Sequence, residues 1–80
     1  MRSPVIVFYS KPRCPLCEEA KAALEMVIEP LQLSFKEVDI YQDDKLLDAY
    51  QLRIPVITLN GQVIAEGRVS VEALQEIFTR

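Results

Sequence analysis

The 80-residue chain is long enough for one domain (residues 1–80) with a single hydrophobic core, and too short for two. Half of its residues are hydrophobic, 26% are charged and two are glycine, a composition typical of a compact soluble domain and not of a disordered segment. Nine basic against twelve acidic residues give a net charge of −3, and no basic cluster exists beyond Lys11 and Arg13, which argues against nucleic acid as a partner.

The chain opens with an apolar run of only five residues, 5–9, which predicts a buried strand. The run is too short for the core of a signal peptide or for a membrane span, so we expect a cytoplasmic protein that does not bind a membrane. Thiols are kept reduced in the cytoplasm, so an isolated cysteine pair there indicates catalysis or metal binding rather than a permanent disulfide.

A helix is predicted next, because apolar residues recur at helical spacing from residue 16 to residue 28. Pro15 suits the first helical turn, and Pro30 ends the helix. This arrangement places Cys14 at the N-cap and Cys17 one turn inside the helix.

The middle of the chain is less regular. Residues 33–40 predict a second strand, with a bulge or a strand end near Glu37 because the apolar alternation slips there. Asp43 is expected to cap a short helix, which must end before Pro55.

The last third of the chain predicts a hairpin and a helix. The Asn-Gly pair at 60–61 readily takes the positive φ angles of a two-residue turn, joining strands at 56–59 and 62–65. Gly67 breaks the second of these strands, and Ser70 can cap the last helix. The predicted order is therefore β-α-β-α-β-β-α, an α/β fold with a parallel βαβ unit and an antiparallel hairpin.

The chemistry of the chain is predicted to lie in Cys14 and Cys17, its only cysteines. A thiol at a helix N-terminus is acidified by the helix dipole and by unpaired N–H groups. Cys14, expected to be exposed, would attack a substrate disulfide, and the more buried Cys17 would resolve the mixed disulfide. The charges of Lys11 and Arg13 favour the thiolate, so we expect a lowered pKa for Cys14.

The cysteine pair has two other interpretations. A zinc site normally needs four ligands, and the chain has no other cysteine and no histidine, so we expect no metal. A non-catalytic interaction module that keeps the cysteines as a redox switch is the second hypothesis for function.

The segment 9–17, which reads Tyr-Ser-Lys-Pro-Arg-Cys-Pro-Leu-Cys, is followed by a helix, by Ile54-Pro55 opening a hairpin and by Gly67 before the last helix. In this combination the chain resembles the glutaredoxins of the thioredoxin-like superfamily, and more narrowly a branch of small bacterial glutaredoxin-like proteins. The resemblance implies a four-stranded mixed sheet with three helices and a cis peptide before Pro55, beside Cys14. It also implies that the backbone before Pro55 offers an open N–H and C=O to a substrate.

The resemblance further implies a thiol–disulfide oxidoreductase that acts on a disulfide-containing protein or on glutathione mixed disulfides. We expect no bound cofactor, glutathione as a possible co-substrate, and glutathione or a flavoprotein reductase as the electron donor. The polar outer faces of the helices favour a monomer. The candidate substrate-binding residues are Lys11, Arg13, Arg53, Ile54, Pro55 and Gly67. The usual glutaredoxin pattern is not kept at residues 16, 53–55 and 66–70, so we expect weaker binding of glutathione.

Overall fold

Four strands and three α-helices alternate in the predicted order in the computed structural model, which describes residues 3–79. The elements are β1 (Ile6–Ser10), α1 (Pro15–Ile28), β2 (Lys36–Asp39), a 3₁₀ turn (Ile40–Gln42), α2 (Asp44–Tyr50), β3 (Val56–Leu59), β4 (Gln62–Glu66) and α3 (Val71–Phe78). Within the described residues, none of the helices has the length and hydropathy needed to cross a lipid bilayer.

The strands form one mixed sheet in the order β2-β1-β3-β4. Strand β1 runs parallel to β2 and antiparallel to β3, and β3 pairs with β4 in an antiparallel hairpin. The hairpin turn has the predicted positive φ angles, 51° at Asn60 and 86° at Gly61. Asn60 is also tied to the start of β1, because its side-chain oxygen accepts a hydrogen bond of 2.9 Å from the Val5 N–H. The mixed sheet and its hairpin are therefore as predicted.

Helices α1 and α3 pack together on one face of the sheet and form the core with its two central strands. Phe8 of β1, Ile57 of β3 and Leu74 of α3 are fully buried. On the other face, the ring of Tyr9 lies 4.9 Å from that of Tyr50, at the end of α2. Since neighbouring side chains of a strand point to opposite faces, α2 covers the face opposite α1. The buried residues of α1 are Cys17, Ala20, Ala23, Leu24, Val27 and Ile28.

The second strand is shorter than predicted. It spans only Lys36–Asp39, so one end of the strand lies next to Glu37, as one of the two expectations had it. Glu37 pairs with Phe8 in a regular register, so the alternative, a bulge, is wrong. The strand ends at Asp39 because its carboxylate accepts a 2.9 Å hydrogen bond from the Tyr41 N–H and starts the 3₁₀ turn. The apolar residues that precede the strand, Leu33 and Phe35, pack against the core from a loop.

The three helix N-caps are at the predicted residues, Cys14, Asp43 and Ser70. Each cap side chain accepts a hydrogen bond from a backbone N–H of the first turn, which satisfies a donor that has no partner within the helix. Helix α1 ends at Ile28, before Pro30, as expected.

Candidate active site

The site is built on the short loop between β1 and α1. After Ser10 the chain turns sharply, and Arg13 takes a left-handed backbone conformation with φ of 57°, which is uncommon for a residue with a side chain. Cys14 follows in an extended conformation as the N-cap, and Pro15 begins the helix. This turn aims the Cys14 side chain at the open end of α1, where its Sγ accepts a 3.1 Å hydrogen bond from the Cys17 N–H.

Cys14 and Cys17 form a disulfide, with their Cα atoms 5.1 Å apart. Cys14 is only 7% exposed and Cys17 4% exposed, so the expectation that Cys14 is exposed is wrong for this disulfide form. The reason is geometric. The Cys14 Sγ points inward, toward the first turn of α1, where it meets both the Cys17 N–H and the Cys17 sulfur.

Two depressions reach the disulfide from different sides. The first, which we call the polar cleft, has a volume of about 230 Å³ and is lined by both cysteines and by Ser10, Lys21 and Glu37, among others. It adjoins a larger polar cavity of about 540 Å³ over the ends of β1 and β2, which neither cysteine lines.

The second depression, which we call the apolar groove, has a volume of about 470 Å³ and is lined by only one of the cysteines, Cys14. Its other lining residues come from the start of α1 and from the loop before Pro55. They are Lys11, Arg13, Pro15, Leu16, Gln51, Leu52 and Ile54. Leu52 is 95% exposed, and Leu16 is 36% exposed. The apolar groove therefore presents unburied apolar surface directly beside Cys14.

Two of the charged side chains that line the polar cleft, Lys21 and Glu37, are paired with each other. One carboxylate oxygen of Glu37 accepts a 3.1 Å hydrogen bond from the Ser10 hydroxyl, and the other lies 2.9 Å from the Lys21 ammonium. The pKa of Glu37 is lowered, mainly because Lys21 donates a hydrogen bond to its carboxylate and also because Ser10 does, while burial opposes the shift. The pKa of Lys21 is raised, first by its hydrogen bond to Glu37.

The peptide between Ile54 and Pro55 is cis, as the resemblance implied. Ile54 lines the apolar groove together with Cys14, so this loop lies beside the disulfide. However, the Ile54 N–H donates a 3.0 Å hydrogen bond to the Tyr50 carbonyl, so the expectation of an open N–H before Pro55 is wrong. This hydrogen bond closes the α-turn that follows α2. Among the described residues no donor reaches the Ile54 carbonyl, which is therefore an open backbone group of the loop.

Arg53 and Gly67 serve the internal bonding of the same loop. The Arg53 guanidinium donates to one Glu66 oxygen from Nε and Nη2, at 2.9 and 2.6 Å, and lies 5.3 Å from the centre of the Tyr50 ring. The Gly67 N–H is directed at the carbonyls of Pro55 and Arg53, at 2.8 and 3.2 Å. Neither residue lines the apolar groove or the polar cleft.

Comparison with known proteins is consistent with this geometry and decides the family. Residues 5–79 match the family model described as glutaredoxin-like domain (DUF836). The chain belongs to this glutaredoxin-like family.

Solved structures share the fold of this glutaredoxin-like domain. Protein Ne2328 from Nitrosomonas europaea has a TM-score of 0.79 at 19% identity, over 96% of this chain and 93% of that chain. Target protein XcR50 from X. campestris has a TM-score of 0.75 at 24% identity, over 94% of this chain and 96% of that chain. A mutant thioredoxin from Halobacterium salinarum has a TM-score of 0.66 at 21% identity, over 95% of this chain and 72% of that chain. The α/β thioredoxin-like fold expected from the sequence is thus confirmed.

The structure places Lys11, Arg13 and Cys14 along both depressions, Cys17 along the polar cleft and Ile54 along the apolar groove. The two depressions also contain residues that the sequence did not single out. Leu52 could have been noticed as a lone apolar residue between Gln51 and Arg53. Nothing in the sequence indicated that Ser10, Lys21 and Glu37 would meet. Among residues 3–79, no group of three or more cysteine, histidine or carboxylate side chains is arranged to hold a metal ion.

Proposed function

We propose that the glutaredoxin-like domain is a thiol–disulfide oxidoreductase in which Cys14 is the nucleophile and Cys17 the resolving thiol. One observation carries the proposal. The Cys14 sulfur caps α1, accepts the Cys17 N–H at 3.1 Å and is bonded to the Cys17 sulfur. A backbone N–H and the positive end of a helix dipole both stabilise a thiolate at this position once the disulfide is reduced.

The reaction starts from the reduced dithiol. The Cys14 thiolate attacks one sulfur of a substrate disulfide, and the other substrate sulfur leaves as a thiolate that takes up a proton. Cys17 then loses its proton and attacks the Cys14 sulfur, which breaks the mixed disulfide and releases the second substrate thiol. Two electrons have passed to the substrate, and the Cys14–Cys17 disulfide is left.

Regeneration needs two electrons from outside the domain. Two glutathione molecules can supply them, ending as glutathione disulfide, or a flavoprotein reductase can supply them directly. We propose that this cycle runs in the cytoplasm, where the thiol poise keeps the dithiol form available. Titration of the pair in glutathione buffers, with alkylation and mass spectrometry, distinguishes the donors. Oxidation within the glutathione range supports glutathione, and a much more reducing potential supports a flavoprotein.

The second candidate is the interaction module with a redox-switch pair. The low exposure of Cys14 in the disulfide form, 7%, favours it, because the thiolate of a reductant has little access to the Cys14 sulfur and regeneration of the dithiol would be slow. In such a module Cys14 would not turn over a disulfide, although the pair would still be oxidised and reduced.

Reduction of 2-hydroxyethyl disulfide with dithiothreitol as donor tests the proposal. We expect Cys14→Ser to abolish the protein-dependent rate. Reduced Cys17→Ser, freed of dithiothreitol before it meets 2-hydroxyethyl disulfide, should accumulate a Cys14 adduct that mass spectrometry detects. Met26→Ser, a change at an exposed position of α1 far from the cysteines in sequence, is the control and should retain the rate. A dithiol protein that forms its disulfide but adds nothing to the uncatalysed rate would support the module instead.

A further inference from the structure

The apolar groove contains a leucine that is not packed in the hydrophobic core. Leu52 is the most exposed of the large apolar side chains in residues 3–79, at 95%, and it lines the same groove as Cys14. Pro15, Leu16 and Ile54 extend this surface along the groove. Exposed apolar surface gathered beside a reactive group is typical of a contact for a partner, since its burial on binding is favourable.

The rim of the apolar groove is cationic. Lys11 and Arg13 line it, and neither forms an ion pair with any residue of the described range 3–79. Two other cations near the site are paired, Lys21 with Glu37 and Arg53 with Glu66. In a chain with a net charge of −3, this rim is therefore a local positive region that complements acidic side chains.

Three of the donor groups at this end of the molecule are already bonded internally. The Ile54 N–H donates to Tyr50, the Gly67 N–H to the carbonyls of Arg53 and Pro55, and the Arg53 guanidinium to Glu66. Glutathione is a polar tripeptide without a large apolar side chain, so its carboxylates can pair with Lys11 and Arg13 but it would leave Leu52 exposed. A protein segment can cover the leucine and pair with the rim.

Resting on the proposed function, we propose that the preferred substrate is a protein disulfide in an acidic segment, with a large apolar residue next to the cysteine that Cys14 attacks. The apolar residue packs against Leu52 and Leu16, and the acidic residues pair with Lys11 and Arg13. The reaction is the one already described. Cys14 bonds to the substrate cysteine in the groove, the partner cysteine leaves as a thiol, and Cys17 then releases the substrate with two electrons gained.

Symmetric disulfide dimers of short cysteine peptides test this substrate class, with dithiothreitol as donor and chromatography as readout. The first peptide has leucine next to the cysteine and two aspartates, the second replaces leucine by serine, and the third replaces the aspartates by lysines. A peptide with a glutathione mixed disulfide at the cysteine is the fourth substrate. Rates on 2-hydroxyethyl disulfide, measured in parallel, report the proposed chemistry without the peptide contacts.

We expect kcat/KM for the leucine-aspartate peptide to exceed that for the serine peptide by about 10-fold, the effect of burying one apolar side chain. The lysine peptide should be slower by about 2- to 5-fold at low salt, with the difference shrinking at high salt because the rim charges are exposed and screened. Leu52→Ser should reduce the preference for leucine, and Lys11→Gln with Arg13→Gln should reduce the preference for aspartate. Met26→Ser, the matched change of an exposed apolar residue outside the groove, should keep both preferences.

Three results would overturn the inference. If all peptides are reduced equally while 2-hydroxyethyl disulfide is still reduced through Cys14, the substrate class is wrong and the proposed function stands. If the glutathione mixed disulfide is the fastest substrate, the domain prefers glutathione. If the protein adds nothing to the uncatalysed rate on any of the disulfides, both the inference and the proposed function are wrong.

Discussion

Helices α1 and α3 begin in nearly the same way. Cys14 and Ser70 are both extended N-caps, with φ and ψ of −122° and 97° at Cys14 and −105° and 154° at Ser70. The Cys14 sulfur accepts the N–H of Cys17 at 3.1 Å, and the Ser70 hydroxyl accepts the N–H of Ala73 at 3.1 Å. Each cap satisfies the same orphan donor, three residues beyond the capping residue.

The two helix starts differ in what surrounds this shared hydrogen bond. At α3 the residue that donates is an alanine and the capping serine is exposed, so the contact only stabilises the helix. At α1 the donating residue is a second cysteine, and the capping sulfur is bonded to it. The N-cap geometry is therefore common to both helices, whereas thiol–disulfide reactivity needs a sulfur atom in the cap and a second thiol one turn later.

Replacing the capping sulfur of Cys14 by oxygen should separate helix capping from disulfide chemistry, and we expect the largest effect here. Cys14→Ser gives α1 the cap of α3, and we expect complete loss of disulfide reduction because a serine hydroxyl cannot form a disulfide. Under reducing conditions its stability should stay close to that of the parent, whereas Cys14→Ala should lose about 1 kcal/mol with the cap. Turnover and urea unfolding of the reduced proteins check both parts. Residual turnover by Cys14→Ser would place the chemistry elsewhere.

Helix α3 should show a large effect on stability instead. Leu74, in its first turn, is fully buried where α3 packs against α1, and Leu74→Ala should cost about 2–5 kcal/mol through lost burial and a cavity. Gln75→Ala, at the exposed neighbouring position, should change stability by less than about 0.5 kcal/mol. Urea unfolding measures both. Equal midpoints for the two variants would contradict the packing role of Leu74.

The cap of α3 should have an intermediate effect. Ser70→Ala removes the acceptor for the Ala73 N–H and should cost about 1 kcal/mol, while Ser70→Asp keeps an acceptor and should cost less. The rate of disulfide reduction per folded molecule should not change in either Ser70 variant, whereas Cys14→Ser should abolish it. Thermal unfolding alongside the turnover assay checks this. A destabilised Ser70→Asp variant would indicate that the hydroxyl has a role beyond capping.

The Lys21–Glu37 pair beside the α1 site should give the smallest effect, since both side chains are partly exposed. The pKa of Glu37 is lowered from 4.5, first by the hydrogen bond from Lys21, so the pair stabilises the fold fully above that pH. The contribution is lost as the pH falls through the lowered pKa. Glu37→Gln should therefore be less stable than the parent at pH 7, and the gap should close in acid. The urea unfolding midpoints of the parent and of Glu37→Gln, measured at pH 7 and in acid, test this pH dependence. A stability difference that widens in acid would contradict it.

The sequence predicted those parts of the fold that local patterns determine. Prolines 15 and 30 bracket α1, and Asn60-Gly61 makes the hairpin, because each acts through its own backbone. The predicted range of the second strand was too long because Leu33 and Phe35 are partly buried by tertiary packing and not by a strand. Apolar spacing cannot distinguish the two causes of burial.

The candidate site likewise has features that local sequence determines and features that depend on tertiary packing. The three-residue spacing of the cysteines fixes the cap and the disulfide, so both were predictable. The exposure of Cys14 was not, since it depends on the inward turn of the sulfur. The engagement of Arg53 with Glu66 joins residues on separate elements, and it could be recognised only once the loop had been packed against β4.

The order of the sheet leaves β2 and β4 as its two edges, where a second copy of the chain could add a strand. Edge β2 carries exposed Lys36 and Glu37, whose charges would have to leave water on such pairing. Edge β4 holds a bulge, because Ile64 is the extra residue between the pairs Ile57–Ala65 and Thr58–Val63. A bulge interrupts the regular row of donors and acceptors that an incoming strand needs. Both edges therefore resist aggregation by strand addition.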